Sequence, residues 1–129
     1  MRPNQARTVY LITYSQAVLI KIPTSSKFAE LIVNDFNKNV LYDRCEFWVS
    51  SMKKHETSGF HYLLAIKLKG VYRWLSVKEN IRRNSGIVLN FFDFTTGYYN
   101  AYGYTTKQDQ FYLLSDNHPP EIEAPPRTA

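Results

Sequence analysis

Residues 44–68, "RCEFWVSSM", "KKHETSG" and "FHYLLAIKL", constrain the fold more than any other stretch of the chain. Two runs rich in aromatic and aliphatic residues flank a polar segment ending in Gly59. The spacing predicts strands over 44–52 and 60–68, joined as an antiparallel hairpin by a turn over 53–59. Side chains alternate faces along a strand. Tyr62, Leu64, Ile66 and Leu68 therefore share one face, which reads as core, while His61, Leu63, Ala65 and Lys67 share the other.

The rest of the chain supplies partners for that hairpin. "VYLITY" (9–14) reads as a first strand that runs into the polar Ser15 and Gln16. Residues 23–39 read as a helix capped by Ser25 or Ser26, with Phe28, Leu31, Ile32, Asp35 and Phe36 at helical spacing. A second helix is expected over 73–83, stopped by Asn84-Ser85-Gly86, then a strand over 87–94. Residues 97–114 read as helical around Tyr98, Tyr99 and Tyr102. The expectation is an α+β fold: a central antiparallel sheet of four to five strands flanked by helices, of the split βαβ kind. One domain over 8–114 is expected, with 115–129, which holds four prolines, as a tail or linker.

Charge narrows the partners. The formal net charge of +5 favours a polyanion. The basic residues cluster, because Lys67, Lys69, Arg73, Lys78, Arg82 and Arg83 face a single acid, Glu79, over 67–83. Lys67, Arg73 and Lys78 are accordingly candidate DNA-binding residues. Cys45, the only cysteine, excludes a disulfide within the chain and reads as a buried thiol. No run reaches the ~20 apolar residues of a membrane span, and the N-terminus lacks a signal-peptide pattern. The expected location is intracellular, and nuclear in a eukaryotic or viral setting.

Three short patterns carry the chemistry. "LITYSQ" ends the first strand in hydroxyls and an amide, His61 opens the strand after the "KHETSG" hairpin, and "YTTK" places Tyr104 and Lys107 on one helical face. A tyrosinate attacks phosphorus competently once a base or cation assists it, and a lysine beside it can steady the phosphate. In this order and spacing the three patterns resemble the motifs of the HUH-type replication initiator (Rep) endonucleases of small circular single-stranded DNA viruses and Rep-like mobile elements. Those motifs are "FLTY" before a polar residue, a histidine–hydrophobe–histidine or glutamine strand, and YxxK. The resemblance spans most of residues 8–109.

The resemblance implies a small antiparallel sheet with flanking helices that binds and nicks single-stranded DNA. It implies Tyr104 as nucleophile, Lys107 as its helper, His61 as a ligand of Mg²⁺ or Mn²⁺, and Thr13 and Tyr14 as part of the DNA-binding floor. The sequence also departs from the family. Leu63 stands at the second histidine position, and Lys53 falls where the acidic ligand is expected. Divalent cations of this kind want oxygen ligands, and one imidazole rarely holds them. The metal site is therefore degenerate, and the domain can work with no ion at all. A Lys53 ammonium there would attract a phosphate unaided. The expected function is a Rep-like single-stranded DNA-binding domain whose nicking is weak or lost. The alternatives are an active nickase that recruits Glu56 or His55, and a non-catalytic protein-interaction module. The chain lacks a Walker A pattern, so at most the N-terminal nicking part of a longer initiator, or a stand-alone relic, is expected. No membrane partner or small-molecule cofactor is expected.

Overall fold

A computed structural model describes residues 6–17, 21–37, 44–54, 59–93, 97–107 and 109–120. The elements run β1 (Ala6–Gln16), α1 (Ser25–Asn37), β2 (Cys45–Lys54), β3 (Phe60–Arg73), α2 (Leu75–Ser85), β4 (Asn90–Asp93), α3 (Tyr98–Thr106) and β5 (Leu113–Leu114). All pairings are antiparallel, in the order β4-β1-β3-β2-β5. The first six elements form the expected split βαβ arrangement. Helix α3 and strand β5 are added to it.

The two faces of the sheet bury different cores. Tyr10 and Ile12 of β1 lie with Tyr62, Leu64, Ile66 and Leu68 of β3 against Phe28, Ile32 and Phe36 of α1 and Val77 and Ile81 of α2. In α1 the buried Phe28, Ala29, Ile32 and Phe36 fall at i, i+1, i+4 and i+8, the stripe a sheet-facing helix needs. Its cap is Thr24, not Ser25 or Ser26: the Thr24 hydroxyl accepts the Lys27 N–H at 3.1 Å. Helix α2 ends where Gly86 takes φ 74° and its N–H meets the Arg82 carbonyl, with Arg82 and Arg83 in the last turn. On the opposite face, Val9, Val49 and Ala65 pack against Tyr98 and Ala101 of α3.

The C-terminal part differs from its sequence reading. Helix α3 stops at Thr106, and Leu113-Leu114 pair with β2. The segment after them is docked rather than loose as far as His118. The Ser115 N–H donates to the Trp48 carbonyl, the Trp48 N–H donates to the Ser115 hydroxyl, and the Asn117 amide reaches the Glu46 carbonyl. Residues 109–117 thereby satisfy the outer edge of β2, which would otherwise offer unpaired backbone groups to another chain. The His118 ring packs on Phe47, Tyr98 and Tyr102, and its Nε2 lies 2.7 Å from the Tyr98 hydroxyl. Burial pushes the Tyr98 phenol far above its ordinary value, so it stays neutral and needs that partner. Replacing His118 by Ala is expected to cost about 2 kcal/mol of stability, the scale of a buried polar group left unpaired. Chemical denaturation checks this; a residue in a loose tail would cost nothing.

Candidate functional site

Strand register decides what gathers beneath α3. Across β1, β3 and β2, Ser15 pairs with His61 and His61 with Lys53; Thr13 pairs with Leu63 and Leu63 with Ser51. These six positions form two adjacent rows on the face covered by α3. The last turn of α3 brings Tyr104 and Thr105 over them, and Lys107 and Asp109 follow directly. Ser51, Lys53, His61, Leu63, Tyr104, Thr105, Lys107 and Asp109 line a cavity of about 230 Å³. The structure thus brings the β2–β3 residues Lys53, His61 and Leu63 together with Tyr104 and Lys107, some forty residues further along the chain.

Each side chain is held differently. Leu63, Ser51 and Thr105 are buried and floor the cavity. The Thr105 hydroxyl is spent on the Ala101 carbonyl at 2.8 Å. Tyr104 is 55% exposed, and the Lys107 ammonium sits 5.9 Å from its ring centroid, a cation–π contact that keeps both at the mouth. The His61 Nδ1 lies 2.7 Å from the Ser15 hydroxyl, which fixes the ring through that nitrogen. Gln16 is tied to Ile22 and Tyr62: its amide nitrogen donates to the Ile22 carbonyl and the Tyr62 hydroxyl, and its oxygen accepts the Ile22 N–H. Burial raises the Tyr62 phenol, and the Gln16 hydrogen bond partly offsets this.

At the polar end of β1, Thr13 is buried beside Leu63 on the face covered by α3 but does not line the cavity, Ser15 orients His61, and the Gln16 side chain is tied to Ile22. Tyr14 is not at the site. It points to the other face and stacks on Tyr62 with centroids 6.4 Å apart, because neighbours in a strand cannot share a face.

The remaining candidates also lie elsewhere. Lys67 is six residues beyond His61 on β3, about 20 Å along the strand, and pairs with Glu46 at 3.7 Å. Arg73 is exposed at the far end of β3. Lys78 belongs to α2, in the opposite layer, with its ammonium 5.6 Å from the Trp74 ring centroid. Tyr102 packs on Tyr112 and His118, away from the cavity lining. Cys45 is half-buried. Glu56 and His55 lie outside the described residues.

Asp109 and Ser15 were not expected. Asp109 accepts the Met52 N–H on Oδ2 and the Phe111 N–H on Oδ1, each at 2.9 Å, and so pins the turn after α3 to the end of β2. No local pattern marks this role. Ser15 was legible through strand register, since it faces His61.

The donor set does not fit a divalent cation. Among the lining residues only His61 and Asp109 are customary ligands, and both Asp109 oxygens already accept backbone N–H groups. Two ammoniums share the cavity with them and would repel an ion. Among the described residues no group of three His, Cys, Asp or Glu side chains is placed to hold a metal. The arrangement suits an anion instead: Lys53 and Lys107 supply charge, and Tyr104 and His61 can supply hydrogen bonds.

A larger open groove of about 530 Å³ between α1 and residues 113–117 includes Cys45, Glu46 and Asp116, but nothing that converges on one reacting atom. Fold and site together define a split βαβ α+β domain with a basic, hydroxyl-lined pocket on the α3 face. No protein-family model and no curated protein matches the chain. Among the described residues no helix is long and apolar enough to cross a membrane.

Proposed function

We propose that this chain is a Rep-like HUH-type domain that binds single-stranded DNA, with a backbone phosphate drawn to the Lys53–Lys107 pocket and nicking by Tyr104 weak or lost. The observation that carries the reading is the convergence of Tyr104, Lys107, His61 and Lys53 on one cavity from three separate elements. Chance matches to short motifs have no reason to meet in space. The replacement of two ligand positions by Lys53 and Leu63 supports binding over metal-assisted chemistry. Exposed aromatic surface beside the pocket supports a single strand over a duplex: Tyr104 and Phe111 are 55% and 78% exposed, and unstacked bases stack on such rings at ~1–3 kcal/mol each.

Fluorescence anisotropy tests this. Single strands are expected to bind in preference to duplex without added metal. Affinity is expected to fall several-fold between about 50 and about 200 mM salt, because released counterions drive phosphate binding. Folded protein that binds no single strand at low salt would end the nucleic-acid reading.

A further inference from the structure

We infer that the pocket takes a phosphate monoester, the phosphorylated end of a strand, in preference to an internal phosphodiester. The inference rests on the single-strand reading above and concerns which phosphate the site selects. Its first support is shape. Leu63, Ser51 and Thr105 are 8%, 1% and 1% exposed and close the floor, so a ligand enters from the mouth where Tyr104 and Lys107 sit. An internal diester must leave by two ester arms, whereas a terminal phosphate has one arm and can seat its free oxygens downward.

The second support is charge. Lys53 and Lys107 place two ammoniums around about 230 Å³. Among the described lining residues the single carboxylate is Asp109, and its charge is spread over the Met52 and Phe111 N–H donors. A monoester carries close to two negative charges at neutral pH, as phosphorylated side chains do, against one for a diester. It also offers three terminal oxygens to four candidate donors, Lys53, Lys107, His61 and Tyr104. Charge-assisted hydrogen bonds are roughly twice as strong as neutral ones. Neither support depends on strand polarity, so either phosphorylated end satisfies the chemistry.

Competition decides it. A labelled oligothymidylate bound to the wild-type protein in EDTA is displaced by unlabelled strands of the same sequence carrying a 5′-phosphate, a 3′-phosphate or neither. At least one phosphorylated strand is expected to compete about tenfold better than the unphosphorylated one. In Lys53→Gln and Lys107→Gln proteins that ratio is expected to fall to about one, whatever their overall affinity. Equal competition by all three strands overturns the inference and leaves single-strand binding standing. Failure of the labelled strand to bind at all overturns both. A preference unchanged in both lysine variants also overturns it, because the end would then be read elsewhere.

Discussion

The Lys53→Glu, Leu63→His double variant is expected to gain a Mn²⁺ site that the described lining residues of the native cavity do not offer. His61 and position 63 sit on one face of β3, and Lys53 is the cross-strand neighbour of His61. The exchange removes an ammonium, adds a carboxylate and a second imidazole, and leaves Asp109 nearby. Calorimetry is expected to show one-to-one binding of roughly micromolar affinity in the variant and none in the wild type. Metal-free single-strand affinity should fall by about tenfold or more, because a cation facing the phosphate has become an anion. With Mn²⁺ present, the Tyr104 oxygen of the variant is expected to attack a backbone phosphodiester of an origin-like strand, breaking the P–O3′ bond, releasing a strand with a free 3′-hydroxyl and leaving the other joined to Tyr104 through its 5′-phosphate, seen as a shift on a denaturing gel. Adding Tyr104→Phe should abolish the shift. A clear Mn²⁺ site in the wild type would mean that other ligands, with Glu56 and His55 the first to examine, complete the site.

The second large effect is structural. Gly59 immediately precedes β3, two residues before His61, with φ 83°. A Cβ built there would overlap the backbone carbonyl of Gln16 at the end of β1. Gly59→Ala therefore carries the left-handed backbone penalty of ~1–2 kcal/mol and also forces apart the strand ends that place Ser15 against His61. The total loss is expected to reach about 3 kcal/mol or more, measurable by urea denaturation. Single-strand affinity should fall with it, because the shift moves His61 and Lys53. Gly97→Ala is the control. Its φ is 107°, yet an added Cβ meets nothing within 4 Å, so only the backbone penalty applies.

How much of this was readable beforehand follows from where the information lay. The hairpin 44–68, helices α1 and α2 and strand β4 announce themselves through local periodicity, and each forms near its expected place. Strand β5 has two residues and no local pattern; it exists because β2 has an edge to satisfy. The same edge holds Ser115 and Asn117, so the proline-rich composition does not make a loose tail as far as His118. At the site, the meeting of His61 and Tyr104 could be expected only from motif order, because no local rule links positions so far apart. Tyr14 lies on the face opposite the cavity because period-two alternation along β1 separates it from Thr13. Asp109 was invisible because its role is set by the Met52 backbone, across the fold. The basic run 67–83 reads as one cluster in sequence, but β3 and α2 carry it away from the cavity and into another layer.

The central claim is that the Lys53–Lys107 pocket receives a phosphate of a single strand without a metal ion. It is tested most directly by anisotropy of one labelled single strand in EDTA, comparing wild type with Lys53→Glu, Lys107→Glu. Lys53 and Lys107 are both exposed, so the fold is expected to survive the exchange, which circular dichroism verifies. The expected result is saturable wild-type binding that weakens about 100-fold in the variant, roughly a factor of ten per reversed charge. Equal affinity of the two proteins would contradict the account, because the strand would then be held somewhere other than this pocket.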